Sequence, residues 1–278
     1  MNAIFLGDVV GRSGRDAIAR YLPELIESLK LDFVVVNGEN SAGGFGITEK
    51  IANGLFAAGV DVITLGNHAF DQSEAIGLVA REPAVLRPAN YPAAAGVPGR
   101  GTFLHTDASG RRILVVTVMG QVYMEPMDDP FSAVEKELLS CELVKDVDMI
   151  VVEIHGEATS EKTAMGHFCD GRASVVFGTH THIPTADARV LSGGTAFITD
   201  LGMCGDYDSV IGMDKEEPVR RFATRLRGSR FKPADGEASL SGLFVSTDDK
   251  TGLAVRCEPI RLGGCLAETI PSVKVALP

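Results

Sequence analysis

Tryptophan is absent from this chain of 278 residues, and aromatic residues of all kinds make up 6%. No base-stacking platform stands out in such a sequence. Long apolar runs are missing as well. None approaches the ~18 residues that a membrane-spanning helix needs, so no membrane association is expected. Basic charge is scarce, with 26 Lys and Arg against 37 Asp and Glu, a formal net charge of −11. Long nucleic acid draws on clustered Lys and Arg and is excluded as an expected partner. A small phosphate ligand held at one local site is not excluded. The five cysteines, Cys141, Cys169, Cys204, Cys257 and Cys265, are scattered, odd in number and never in a C-x-x-C pair. That pattern argues against a disulfide framework and for a reducing cytoplasm. The first residues carry no basic stretch and reach an acid at Asp8, which argues against a signal peptide. The glycine-rich stretch Gly7 to Gly14 has neither G-x-x-x-x-G-K-S/T nor G-x-G-x-x-G spacing, so a nucleotide-binding ATPase or a dehydrogenase is not expected.

What is present is a unit that repeats over the first 70 residues: a short apolar strand, a turn rich in Gly or Asn, then a helical stretch. Ala3 to Leu6 reads as a buried strand, Gly7 to Gly14 as a loop, and Ala17 to Leu29 as a helix from its apolar spacing. Phe33 to Val36 and Asp61 to Leu65 are the next strands, with a helix opening near Thr48 and running through Leu55 and Phe56. Their β-branched runs lack polar alternation, which fits strands covered on both faces. Pro83 to Gly101 is rich in Pro, Gly and Ala and reads as a long connection. Thr102 to Thr106 and Arg112 to Val118 flank Asp107-Ala108-Ser109-Gly110, a hairpin signal. Asp148 to Ile154 and Ser174 to Phe177 are buried strands around a helix from Ser160 to Phe168. Phe197 to Thr199 is a short strand, Asp214 to Leu226 a helix, and Leu240 to Val245 and Leu253 to Ile260 closing strands. No low-complexity block and no repeat period interrupts this order. Residues 1–278 read as one α/β domain.

A donor side chain stands immediately after strand after strand. These are Asp8; Glu39 and Asn40; Asn67 and His68; His155; and His180 and His182. In open α/β sheets ligands bind beyond the carboxyl ends of the strands, so these groups are expected to converge on one edge. Each taken singly has an ordinary explanation: an Asx turn at Asp8, a helix cap at Asn67, a packed histidine at 155. Recurrence at five strand ends does not. Such a set exceeds what one ion takes from protein and suits two ions with open positions, the clamp used for phosphoryl chemistry. Gly178-Thr179-His180-Thr181-His182 is the sharpest local signal. In an extended segment alternate residues face the same way, so both imidazoles are expected to reach one centre.

The order of these motifs resembles the calcineurin-like metallophosphoesterases, and more closely their YmdB-like branch. The resemblance rests on Gly7-Asp8-Val9-Val10-Gly11, Asn37-Gly38-Glu39-Asn40-Ser41-Ala42-Gly43-Gly44 and Gly66-Asn67-His68 in the front half. In the rear half it rests on His155-Gly156-Glu157-Ala158-Thr159-Ser160-Glu161-Lys162, Gly178 to His182, and Asp200-Leu201-Gly202-Met203-Cys204-Gly205. It implies a four-layer α/β/β/α sandwich and metal-dependent hydrolysis of cyclic nucleotide phosphodiesters, 2′,3′-cyclic or 3′,5′-cyclic. Two departures from the wider superfamily stand out. Its Asp-x-His is here Asp8-Val9-Val10, and its Gly-Asp is here Gly38-Glu39-Asn40. The expectation is that the Asn40 carbonyl replaces the lost imidazole. The family pattern then assigns Asp8, Glu39, Asn40 and His182 to one metal, and Glu39, Asn67, His155 and His180 to the other.

His68, beside Asn67, resembles the family's proton donor, and Asp71 is either its orienting partner or a first-turn helix acid. Imidazole, carboxylate and amide donors without thiolate suit Mn, Fe, Co or Zn better than Ca or Mg; the resemblance implies two divalent ions, iron or manganese before zinc or cobalt. Cys204 is expected to be a buried free thiol. His105 and His167 are read as surface or core residues. Arg12 and Ser13 either touch substrate phosphate or have no contact with it. Two other readings stay open: a signalling or scaffold protein whose metal site is regulatory, and another metal-dependent hydrolase such as an amidohydrolase. The sequence also leaves a homo-oligomer open.

Overall fold

In the computed structural model, which describes residues 1–272, the chain folds into two β-sheets packed face to face, each covered on its outer side by helices. The first sheet is built from β1 (Asn2–Val9), β2 (Phe33–Asn37), β3 (Val62–Thr64) and β4 (Val85–Leu86), all parallel. Beside β1 run β12 (Leu240–Thr247) and then β13 (Ala254–Leu262), each antiparallel to its neighbour. The second sheet has parallel β6 (Arg112–Met119), β7 (Met149–His155), β8 (Val175–Thr179) and β10 (Ala196–Ile198). It is edged by antiparallel β5 (Thr102–Thr106) and β9 (Arg189–Val190).

Side-chain alternation along the strands sorts the core into three slabs. Ile4, Leu6, Val34 and Val36 face helices α1 (Gly11–Leu29), α2 (Glu49–Ala57) and α3 (Ala75–Arg81). Ala3, Phe5, Phe33 and Val35 point the other way and meet Ile113, Val115, Val151 and Phe177 of the second sheet. Val116, Val118, Val152 and Ile154 face α4 (Pro130–Ser140) and α5 (Thr159–Phe168). Three apolar slabs separate four layers. This is the α/β/β/α sandwich expected from the resemblance. The parallel strands are buried on both faces, which is why their sequences run apolar without a polar alternation.

Several elements depart from the sequence reading. Helix α1 begins at Gly11 rather than near Ala17. Glycines lower helix propensity, but Gly14 lies so close to the Cys204 carbonyl that a Cβ would sit 2.1 Å from its oxygen, and packing overrides propensity here. The stretch from Pro83 to Gly101 is not only a connection, because Val85–Leu86 pairs with β3. Helix α3 and strands β9 and β11 (Met203–Cys204) are too short to show a period. Helix α4 had a legible start: Asp129 accepts from the backbone N–H groups of Phe131 and Ser132, with Pro130 in the first turn. Among the described residues no helix is long and apolar enough to cross a membrane.

Candidate metal centre

The strand-end donors do converge, between the two sheets. On β2 and β7 this follows from register: Asn37, Glu153 and His155 share the inner face with Phe33 and Val151. Asp8 does not follow from simple alternation. Counted from Ile4 and Leu6 it belongs on the helix side, but a bulge between Leu6 and Asp8 shifts the register, so that Asp8 pairs with Asn37 and turns inward. Gly7 makes the bulge feasible; a Cβ there would lie 1.8 Å from the Gly202 carbonyl oxygen.

Three donor atoms meet around His155 Nε2. Asn67 Oδ1 lies at 2.9 Å, Glu39 Oε1 at 3.1 Å and His180 Nδ1 at 3.1 Å. Ligand atoms of Glu39, His155 and His180 all fall within 4.8 Å of one another, spacing suited to one cation. Beside this cluster Asp8 Oδ1 and Asn40 Oδ1 are buried without a hydrogen-bond partner. Orphaned buried oxygens are costly, by about 1–3 kcal/mol each and more when charged, and a cation is the partner that their position fits. His182 Nε2 stands 3.9 Å from Asp8 Oδ1, while its Nδ1 faces the Ile211 carbonyl oxygen at 2.8 Å. That bond fixes the ring and leaves Nε2 as the free donor.

The Gly178 to His182 segment is not extended as the spacing argument required. Strand β8 ends at Thr179, and His180 and His182 have φ of 96° and 65°. The two imidazoles consequently diverge, His180 toward His155 and Glu39, His182 toward Asp8. Left-handed backbone at non-glycine residues is strained by about 1–3 kcal/mol apiece, and the surroundings hold it in place. Asp200 accepts from the Thr181 N–H at 3.2 Å and the Thr181 hydroxyl at 2.7 Å, and from the Gly202 N–H at 2.8 Å. Lys162 Nζ donates to the same carboxylate at 2.7 Å, and both side chains are fully buried.

Behind the cluster lies a second buried network that the motifs alone did not reveal. The Thr179 hydroxyl donates to Glu153 Oε1 at 2.7 Å, and the Asn37 amide donates to the same oxygen at 2.8 Å. With its hydrogen committed there, Thr179 Oγ1 must accept from His155 Nδ1–H, 3.0 Å away. In the neutral ring this directs the Nε2 lone pair at the donor cluster. Polar residues at a strand end, Asn37 and Thr179, or two places before one, Glu153, were the available signal.

Electrostatics fit cation binding. Burial pushes the Asp8 carboxyl up, partly offset by His182 and His155. Burial opposes Glu39 ionisation too, but the charge and hydrogen bond of His155 pull its carboxyl down. The same pairing outweighs burial at His155 and raises it. His180, desolvated and beside the His155 charge, is pushed down to about 3. A cation held by these donors would compete with a proton for the His155 ring, so its binding would be pH-dependent.

His68 lines a cavity of about 290 Å³ together with Glu39, Asn40, His180 and His182. Its backbone N–H donates to Glu39 Oε2 at 2.9 Å and its Nδ1 stands 2.7 Å from Asp71 Oδ2. Asp71 precedes α3 by four residues and is no first-turn acid. Its ring contact is its clear role. Arg12 pairs with Asp16 and the Ser13 hydroxyl donates to the Ala234 carbonyl; neither residue lines the cavity. Cys204 is buried, its thiol pushed up to about 12 by desolvation. His105 packs against Phe33 and Phe103, and His167 is exposed on α5.

Comparison with known proteins identifies the family. Residues 4–260 match the family described as YmdB-like protein. The chain is 45% identical over 260 residues to the 2′,3′-cyclic-nucleotide 2′-phosphodiesterase of Bacillus subtilis, covering 94% of this chain and 96% of that one. A crystal structure of a novel phosphatase from Mycoplasma pneumoniae superposes with a TM-score of 0.87 at 34% identity, covering 95% of this chain and 93% of that one. That of a hypothetical protein from Thermus thermophilus gives a TM-score of 0.86 at 40% identity, covering 95% and 100%. Together with the sandwich fold and the donor cluster between its sheets, these matches place the chain in the YmdB-like family of metallophosphoesterases.

Proposed function

We propose that this chain is a phosphodiesterase that opens 2′,3′-cyclic nucleotides at the P–O2′ bond with the help of two divalent ions. The observation that carries the reading is the convergence of Asn67, Glu39 and His180 on His155 Nε2, next to the unpartnered oxygens of Asp8 and Asn40. The relative named for this activity shares 45% of its residues with the chain. Asp8, Glu39, Asn40 and His182 would hold one ion, and Glu39, Asn67, His155 and His180 the other. Iron or manganese is the metal proposed, with zinc or cobalt the alternatives. When bound, the ions supply Lewis-acid polarisation of the phosphoryl oxygens and an activated water as nucleophile. Glu39 anchors this centre to the proton-transfer residue, because its second oxygen fixes the backbone of His68. Asp71 accepts the Nδ1–H of His68 and fixes its ring; as general acid His68 acts in its imidazolium form, with the proton to be given on Nε2. As the new P–O bond forms from water and the P–O2′ bond breaks, that proton passes to O2′; one hydrogen of the water stays on the phosphoryl group and its other proton restores His68, giving a 3′-monoester with a free 2′-hydroxyl.

Residues 1–272 act in this reading as one domain, since the site draws on both sheets; the last six residues of the expected 1–278 domain lie outside the described residues. The five free cysteines support a place in the reducing cytoplasm. The test is metal analysis together with turnover of 2′,3′-cyclic and 3′,5′-cyclic nucleotides and a monoester control. The expected result is two metals per chain and diester opening; hydrolysis of the monoester alone refutes the reading. His68→Ala should keep both metals and lose ~10²–10⁴-fold in kcat, the usual worth of general acid catalysis. Unimpaired turnover in that variant removes the role given to His68.

A further inference from the structure

The cavity that exposes the donor cluster has a second half of a different character. Beyond Glu39, Asn40, His68, His180 and His182, its lining is apolar: Phe45, Val210, Ile211, Met213, Pro218, Phe222 and Phe231. Two of these rings are fixed from outside. Phe45 meets the His68 ring edge-on at 5.2 Å, and its carbonyl accepts from the Gln72 amide at 2.7 Å. Phe231 lies under the Arg221 guanidinium, 4.0 Å from the ring centroid, and Arg221 is itself held by Glu217 at 2.6 Å.

Phe222 is different. It projects from helix α6 (Glu216–Thr224), is 72% exposed, and makes no aromatic or cation–π contact among the described residues. A large, unpartnered ring at the mouth of a polar reaction site is a surface that a ligand can cover. Every polar side chain lining the cavity belongs to the donor cluster or is His68, so the apolar half offers ring faces and aliphatic edges but no side-chain donor or acceptor. Planar heterocycles are recognised in such places by stacking, which does not discriminate among bases because each has a π-face. At about 290 Å³ the cavity lies at the small end of ligand sites, the size class of one nucleotide rather than of a polymer.

We propose that the apolar wall carried by α6 and the Phe45 loop is the nucleobase seat of the substrate, with Phe222 as the residue that sets specificity for nucleosides by stacking, irrespective of which base it is. The inference rests on the phosphodiesterase reading above and adds the part of the substrate distant from phosphorus. It assigns a role to α6, whose Pro218 and Phe222 line the cavity. The sandwich itself does not require that helix, since all three apolar slabs close without it.

The test compares the four 2′,3′-cyclic nucleotides with ethylene phosphate, a five-membered cyclic diester that has the same reacting ring and no base. The readout is the ratio of kcat/KM for a nucleotide to kcat/KM for ethylene phosphate. Phe222→Ala should lower that ratio roughly 5- to 150-fold, the range that stacking on one aromatic ring spans, with the loss carried by KM. Phe222→Tyr, which keeps the ring face, should restore it. In the unaltered protein the four bases should fall within about fivefold of one another, as face recognition requires. A ratio unmoved by Phe222→Ala, or one base preferred beyond that margin, overturns the seat. Failure of the unaltered protein to open any cyclic diester, ethylene phosphate included, is a different result and counts against the phosphodiesterase reading instead.

Discussion

Removing the buried ammonium of Lys162 should destabilise the protein and loosen the centre it does not touch. Lys162 Nζ and Asp200 Oδ2 are 2.7 Å apart, with side chains at most 1% exposed. Deleting one partner of a buried pair costs about 3–5 kcal/mol, because the other charge is left uncompensated. The two possible deletions are not equivalent. In Lys162→Met, Asp200 still accepts from Thr181 N–H, Thr181 Oγ1–H and Gly202 N–H, and Met fills most of the lysine stem. Its cost belongs at the lower end, about 3 kcal/mol. In Asp200→Asn, the Lys162 side chain loses the carboxylate of Asp200, its one hydrogen-bond partner among the described residues. The cost there belongs near 5 kcal/mol.

For a chain of this size each kcal/mol moves Tm by about 2–4 °C, so the expected drops are about 6–12 °C and 10–20 °C. Thermal and denaturant unfolding should be followed in chelator, because bound metal adds its own stabilisation by mass action. In parallel, metal titration should show about 10–100-fold weaker binding, since Asp200 holds Thr181 between His180 and His182. A Lys162→Met protein within 1 kcal/mol of the parent, or one less stable than Asp200→Asn, refutes this account of the pair.

Thr179→Val removes the acceptor for His155 Nδ1–H and should weaken metal binding about 10–100-fold, measured by calorimetric titration, while Thr179→Ser retains it. Asn40→Ala should lower metal stoichiometry or affinity; unchanged metal content by elemental analysis means that its unpartnered oxygen serves something else. Cys265 is exposed, whereas Cys169 and Cys204 are buried with thiols pushed up to about 12. A thiol-directed reagent at neutral pH should therefore modify Cys265 in the folded protein and reach Cys169 and Cys204 only after unfolding, as peptide mass mapping would reveal.

Much of this was legible beforehand. Continuous apolar strands announced sheets covered on both faces, and Asp8, Glu39, Asn67, His155 and His180 stood out because each follows such a strand. The hairpin around Asp107 to Gly110 and helix α5 sit where turn residues and apolar spacing put them. What failed did so for identifiable reasons. Helix α1 starts in a glycine-rich stretch because α1 must approach β11 closely, a tertiary demand with no local signature. The His-x-His segment obeys turn geometry rather than strand geometry, since β8 ends one residue before it.

The sequence by itself determined that the strands are covered on both faces, and the inventory of donors, because apolar runs and composition are local properties. Only the tertiary structure decided which donors meet. A bulge at Gly7 turns Asp8 inward, Glu153 and Thr179 set the proton of His155, and His180 and His182 part toward different partners. The scarcity of aromatics, which hid any stacking surface in the sequence, changes its meaning in the same way. Phe45 lies far along the chain from Phe222 and Phe231, yet all three line one cavity. Convergence of this kind depends on contacts between residues nearly 200 positions apart, and no window of sequence contains them.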